Sequence, residues 1–376
     1  MLAPWIIATF TVFAVYFLDR YENRHIQSLF DWVPAILLAY IIPALISYSL
    51  DADYSQAEIH DYSKDYFIPL AIIAVMSSLS LRQLKSIGYK PILVFLSGSF
   101  FIAVFPVVLM FLWSDSQLIS KTMVAENYWM GIPPIVGSWI GGSTSQLVLK
   151  ELVECPENIF LTVLVMDNIL VNVWTILMFQ TIKKSDQLNK WFQVIDVAIP
   201  EDIRVATGKK WSPWVCATLL LGVVLLTNVL FDSFVVKVVL LSVLGLIISN
   251  LIPSWNYKFA LKAGGILIIV VTAVLGLKLQ LATLGFNLSF LGFLSIWLLG
   301  HLLFMMLIAK WLKVHMAWVP IASMANVGGI ATAPAVTTAY NLKWMPHAIV
   351  LAILSMATGT FWGMLTIWLL RAFVVS

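Results

Sequence analysis

The sequence predicts an all-α polytopic membrane protein: two inverted repeats of five transmembrane helices plus one re-entrant hairpin each. Three observations predict it. Twelve apolar segments are long enough to cross or enter a bilayer, a double-glycine motif recurs at about half the chain length, and the lysines and arginines distribute sensibly only if two segments turn back. Composition agrees, with 61% of the 376 residues hydrophobic and 11% charged, against about 45–50% and 25% in soluble domains. A water-soluble enzyme and a disordered chain are both excluded on this ground. The apolar runs are continuous, unlike the alternating ten-residue segments of a membrane β-barrel.

Residues 2–18 form the first segment. No basic stretch precedes it and Asp19-Arg20 follow it, so it reads as a retained span with its N-terminus outside and not as a signal peptide. Further segments fall at 32–50, 66–81, 91–113, 129–149 and 158–182. A polar stretch, 183–211, carries Lys183, Lys184, Lys190, Arg204, Lys209 and Lys210. Six more segments follow at 212–231, 234–251, 259–277, 287–309, 317–340 and 346–370. The predicted organisation is therefore a first repeat over 1–182, a cytoplasmic linker over 183–211 and a second repeat over 212–376.

Two local echoes support duplication. LRQLKSIGYKP in the first half matches LKLQLATLGFNL in the second, each placing leucines ahead of Gly-aromatic at Gly88-Tyr89 and Gly285-Phe286. The fifth segments read PIVGSWIGGSTSQLVL and PIASMANVGGIATAPAV, and their double glycines, Gly141-Gly142 and Gly328-Gly329, lie 187 positions apart.

Orientation follows from counting. If all twelve segments crossed, the basic linker would lie outside. If both fifth segments are hairpins that return to the side they entered, the cytoplasm receives 16 of the 22 lysines and arginines, linker included, and only Lys64, Lys121, Lys150, Lys237, Lys278 and Arg371 remain outside. Each half then makes an odd number of crossings, so the second is inverted relative to the first and both termini are outside. Inverted repeats with irregular backbone at the midplane are secondary-transporter architecture.

The glycine pairs are the leading candidate site. Irregular backbone at membrane depth must be buried in protein or line a water-filled cavity. Glycine lets the chain reverse at φ values closed to other residues, and a reversed tip presents free N–H groups at a helix N-terminus, which favour an anion. The candidate solute-binding residues are Gly141, Gly142, Ser143, Thr144, Ser145, Gly328, Gly329 and Thr332. The bland alternative is close packing, since Gly137-x-x-x-Gly141 is a small-xxx-small motif.

GSWIGGSTSQ and ANVGGIATAPA resemble the bacterial membrane family called domain of unknown function 819, over nearly the whole chain. More distantly, the paired Gly-Gly hairpins resemble the 2-hydroxycarboxylate and glutamate sodium symporters. That resemblance implies a scaffold subdomain, a moving subdomain with both hairpins, a homodimer in the bacterial inner membrane, and sodium with an anionic substrate between the tips. The chain departs from the symporters' Gly-Gly-x-Gly at Thr144 and Ala331, and no arginine stands near either tip.

Asp167 is an acid deep in an apolar segment, LTVLVMDNILVNVW, with Asn168 beside it and Asn172 close to its face. Intramembrane carboxylates usually mark an ion or proton path, so Asp167, with Asn168 and Asn172, is a candidate for ion coupling, for Na+ or H+; Asn326, just before the second tip, either joins these ion-coupling candidates or caps that hairpin. A structural hydrogen bond or ion pair is the alternative for Asp167. His301 reads as a neutral histidine bonded to a neighbouring helix, with a proton relay as the alternative, and Lys150, Glu151 and Glu154 as a solvated helix end, with an entrance funnel as the alternative. Cys155 and Cys216 read as packing residues, and the 16 tryptophans as lipid-facing and interfacial.

No GxxxxGK[ST], HExxH or GxSxG motif is present, which removes an ATP-driven pump within the chain and the obvious protease and esterase chemistries. The expectation is a non-enzymatic, sodium- or proton-coupled transporter of a small anionic solute, with the bilayer as partner, no other cofactor and no nucleic acid. The rival is a scaffold or regulatory subunit whose hairpins only pack.

Overall fold

The computed structural model describes residues 2–18, 35–79, 81, 87–114, 116, 118–194, 210–279 and 287–374. The predicted Gly285-Phe286 echo and much of the linker, 195–209, lie outside the described residues. Every regular element among the described residues is helical. They are α1 (Ala3–Leu18), α2 (Ala35–Ser49), α3 (59–77, with a π turn at Ser63–Phe67), α4 (Tyr89–Leu112), α5 (132–141, ending in a π turn at Gly137–Gly141) and α6 (Gly142–Val153). The chain continues with α7 (Glu157–Lys183), α8 (Ser185–Phe192), α9 (Pro213–Leu230), α10 (Phe234–Leu251), α11 (Tyr257–Gly276) and α12 (Leu288–Trp311). It ends with α13 (Trp318–Val327), α14 (Gly329–Thr338) and α15 (Met345–Phe373).

Each predicted apolar segment thus carries a helix, and the two fifth segments are the ones broken in two. Among the described residues seven helices, α4, α7, α9, α10, α11, α12 and α15, are long and apolar enough to cross a membrane. Between α4 and α5 the chain forms a π-helical stretch Leu118–Ala125 and a 3-10 turn Tyr128–Gly131.

Packing divides the chain into two compact units that each draw on both halves of the sequence. The first takes residues 1–79, 155–168 and 208–286; the second takes 80–154, 169–207 and 287–376. Within the first unit α3 and α11 form the centre, α3 touching α9, α10 and α11, and α11 touching α1 and α2. The α-helical part of α3 is apolar on all sides and buries Ile72, Ile73, Ala74, Val75 and Met76, as a helix without a polar face must. Glycines permit the close crossings: a Cβ on Gly264 would stand 2.6 Å from Val75 Cγ2, and one on Gly245 2.6 Å from Met76 Cβ. Lys237, largely buried, reaches Asp65 Oδ1 at 3.8 Å, and Asn228 donates to the Asp65 carbonyl at 2.6 Å.

Overpacking a crossing of this kind costs about 1–3 kcal/mol. Gly264→Ala should therefore lower the thermal midpoint in detergent. Gly265→Ala, with no atom within 4 Å of the new methyl, should stay within about 0.5 kcal/mol of the wild type.

Candidate functional site

Both broken helices belong to the second unit. In the first, Pro133 and Pro134 open α5, where missing N–H groups are tolerated. The helix widens to a π turn and stops at Gly141, and Gly142 takes φ +72° and ψ −170°, a conformation essentially reserved for glycine. α6 then runs back along α5: a Cβ on Gly137 would stand 2.8 Å from the Gln146 amide nitrogen and 2.7 Å from Leu149 Cδ1. In the second, α13 ends at Gly328, Gly329 takes φ +69°, and α14 packs back on α13.

The two hairpins open at opposite ends of α12. At the α12 start, Tyr128 beneath the first hairpin lies 5.0 Å from Phe290, ring to ring, and Asn287 Nδ2 is 3.5 Å from Glu126 Oε2. Beyond the α12 end, Trp318 and Trp344 stack at 4.9 Å across the mouth of the second hairpin, and the His315 and Tyr340 rings are 5.6 Å apart. α12 has 24 residues, which at 1.5 Å per residue is about 36 Å, the scale of a hydrocarbon core. The tips nevertheless meet, because the Gly137–Gly141 turn packs against both α13 and α14. Trp139 in that turn lies 4.6 Å from Trp297, well inside α12, and both rings are fully buried.

Within each glycine pair the labour divides. The first glycine packs: Gly141 lies backbone to backbone against Gly359 of α15, and Gly328 is covered by Met324. The hydroxyl four residues on folds over it in both hairpins, Ser145 over Gly141 and Thr332 over Gly328. The second glycine, Gly142 or Gly329, turns the chain and has no atom within 4 Å of where a Cβ would be. The packing alternative thus describes Gly137, Gly141 and Gly328; Gly142 and Gly329 do something else.

Of the polar candidates, Thr144, Ser145 and Asn326 are buried and Ser143 is partly exposed. Ser145 and Thr360 share a hydrogen bond of 2.9 Å between their hydroxyls. Thr332 Oγ1 is a buried atom that meets no hydrogen-bond partner among the described residues. Asn326, 1% exposed, accepts from Ser99 Oγ at 2.9 Å and lies 3.1 Å from Ser355 Oγ. Ser355 also contacts the Ile140 carbonyl, so a single hydroxyl of α15 touches both tips. His301 bonds through Nε2 to Ser323 of α13 at 3.2 Å, the interhelical contact expected, and Trp174 Nε1 donates to the same hydroxyl at 3.0 Å.

Asp167 is buried, 7% exposed, and is grouped with Asn168 in the first unit, whereas Asn172 falls in the second. The one continuous helix α7 carries all three, and Asp167 precedes Trp174 by seven residues on the same helix face. Lys150 corrects an expectation. It is 4% exposed, with Nζ 2.9 Å from Glu151 Oε1, so the end of α6 is not simply solvated, although Glu154 is exposed. Cys155 and Cys216 are buried and not in a disulfide, and no cluster of three or more His, Cys, Asp or Glu occurs among the described residues.

Sequence reasoning missed Ser99, Ser355, Thr360 and the Ile140 carbonyl. The available signal was the small and hydroxyl run Ser355–Thr360 in an otherwise apolar helix. It also missed a cluster at the mouth of the second hairpin. There Asn189 of α8 accepts from the Met316 amide at 2.8 Å and meets His315 Nε2 at 2.7 Å. Tyr340 donates to Asp186 Oδ1 at 3.2 Å and lies 3.1 Å from His315 Nε2. The short linker helix thereby holds both ends of this hairpin.

Burial, then the neighbouring Asp186 carboxylate, push the Tyr340 hydroxyl from its ordinary 10 up to about 12. The folded state thus holds this proton more tightly than the unfolded chain. The resulting stability is fully present below pH 10 and is lost as pH rises from about 10 to about 12. Alkaline melting curves should fall across that window in the wild type and less steeply in Tyr340→Phe. At the tips, Gly142→Ala should cost about 1–3 kcal/mol through backbone strain despite the open space around it, read as a lowered thermal midpoint.

A search among curated proteins finds no match to this chain. A family profile described as protein of unknown function (DUF819) matches residues 6–373, nearly the whole length, and the chain belongs to that family of multi-pass membrane proteins.

Proposed function

We propose that this protein is a secondary active transporter. It moves a small anionic solute by alternating access, coupled to sodium or protons, through a site between the two Gly-Gly tips. The observation that carries the reading is the pair of broken helices whose mouths open at opposite ends of α12 and whose tips meet. In a bilayer this corresponds to two re-entrant hairpins entering from opposite sides, the arrangement that two inverted repeats of five crossings and one hairpin would produce. Such a site can be offered to either face in turn.

The chemistry of the tips supports an anionic solute. α6 and α14 each begin at a glycine of positive φ, so the first-turn amides of two helices lie at the break, where the helix dipoles favour negative charge. Ser143 and Thr332 add hydroxyls beside them. The charge pattern supports a cytoplasmic mouth for the second hairpin: exposed Lys183, Lys184, Lys190, Lys310, Lys313 and Lys343 belong to the elements around it. That orientation puts both termini outside, in a bacterial inner membrane. In this reading the unit holding both tips is the moving body, the other unit is the scaffold and dimer-forming part, and Asp167 is the coupling carboxylate on α7.

The reading is tested by thermal unfolding of the purified protein against a panel of carboxylates and amino acids, in sodium and in choline. A solute bound only by the native state at a hundred times its Kd adds about 2.7 kcal/mol. At least one anion should raise the midpoint in sodium, and the sodium dependence of that rise should vanish in Asp167→Asn. No response to any solute at any pH would favour a packing scaffold instead, and an unchanged sodium dependence in Asp167→Asn would remove that residue from coupling.

A further inference from the structure

The short helix α8 and the helix ends beside it form a surface that the hairpins leave unexplained. α7 and α12 each present an apolar stripe outward, and both stripes end in lysines. On α12 the exposed Leu299, Leu303 and Leu307 follow at spacings of four and finish at Trp311, 78% exposed and flanked by Lys310 and Lys313. On α7 the exposed Ile169, Val173 and Ile176 lead to Gln180 and then to exposed Lys183 and Lys184. An outward apolar stripe on a spanning helix faces acyl chains, so its end marks the depth at which headgroups begin.

α8 lies at that depth. It follows Lys184 directly, and its far end is tied to the end of α12, where Lys310 Nζ sits 5.4 Å from the centre of the Phe192 ring. The helix has two sides. Ser185 is buried and Leu188, Asn189 and Phe192 are half-buried on one face, while Gln187, Lys190 and Trp191 stand outward, Trp191 80% exposed. The topology rule is met by lysines anywhere on their side of the membrane. Here Lys183, Lys184, Lys190, Lys310 and Lys313 stand around two exposed indoles. Counter-charge is scarce: Asp186 is the only acid in the sequence from 180 to 194, it accepts the Tyr340 hydroxyl, and 303–318 contains none. Indoles settle at headgroup level, lysine stems lie along apolar surface with the ammonium reaching outward, and a lysine cluster beside a spanning helix attracts anionic headgroups.

We propose that this surface docks anionic phospholipids, the lysines pairing with headgroup phosphate and Trp191 and Trp311 seated where headgroup meets acyl chain. The inward side of the same helix holds the second hairpin: Asn189 accepts from the Met316 amide, and Asp186 from Tyr340. A docked lipid therefore steadies the mouth of that hairpin. Docking needs no transported solute, so it stands or falls apart from the transport reading.

The experiment is native mass spectrometry of the delipidated full chain in detergent. The probes are dioleoyl phosphatidylglycerol, dioleoyl phosphatidylcholine, and glycerol phosphate as a headgroup without chains. Saturable retention of phosphatidylglycerol is expected, about tenfold or more above phosphatidylcholine, with no competition from glycerol phosphate. The triple variant Lys183→Gln, Lys184→Gln, Lys190→Gln should lose the preference. Lys258→Gln with Lys262→Gln, on α11 of the other unit, should keep it. All five side chains are exposed, so both variants should melt like the wild type. Amide exchange over 312–318 should slow when phosphatidylglycerol is added to the wild type and not in the triple variant. Equal retention of the two lipids, a preference that survives the triple variant, or one lost equally in the α11 pair would overturn the docking surface. Displacement by glycerol phosphate would also overturn it, in favour of a soluble phosphate ligand. A dimer that Trp191→Ala converts to monomer with lipid retention unchanged would replace it with a contact between copies. Unchanged exchange over 312–318 with lipid bound would overturn the link to the hairpin.

Discussion

A backbone that leaves the helix inside an apolar body exposes amides and carbonyls that neither lipid nor hydrocarbon side chains can satisfy. The breaks at Gly141-Gly142 and Gly328-Gly329 impose this constraint twice, and much of the second unit is arranged around meeting it. α15 runs past both tips and is built of small and hydroxyl residues where it does so: Ser355 meets Ile140 and Asn326, Gly359 lies against Gly141, and Thr360 bonds Ser145. A larger residue at Gly359 would push the first tip away from the helix that satisfies it.

The same constraint explains why the glycine pairs are pairs. One position must let backbones touch and the next must reverse the chain, and no side-chain-bearing residue does either without strain or clash. The free amides that follow and the carbonyl ends that precede each break have opposite polarity. A single interruption therefore offers an anion a place on one side and a cation a place on the other. Two such interruptions meet tip to tip in the second unit.

The helices were legible because membrane-spanning segments obey one simple rule of length and hydrophobicity: α4 and α12, of 24 residues each, fall within a few positions of the segments expected. The glycine pairs were legible because their chemistry is local. What was not legible depends on contacts between distant residues. The grouping of segments from both halves into two units leaves no trace in composition. The burial of Lys150 depends on what packs over α6, which its flanking Glu151 and Glu154 disguise as a solvated end. Ser99 was hidden because a hydroxyl in a helix can bond its own preceding turn, as it does with the Phe95 carbonyl, and nothing in its neighbourhood announces a second partner 227 residues away. The π turn in α3 and the stretch Leu118–Ala125 have no sequence signature that propensity or periodicity reads.

The account rests most heavily on two tips approached from opposite sides of the membrane. Single cysteines at Ser143 and at Thr332, in a background where Cys155 and Cys216 are alanine, can be probed with a membrane-impermeant maleimide added to one face of sealed vesicles at a time. Labelling of the Ser143 site from outside and the Thr332 site from the cytoplasmic face is the predicted result. Labelling of both sites from the same face, or of neither from either face, would contradict it.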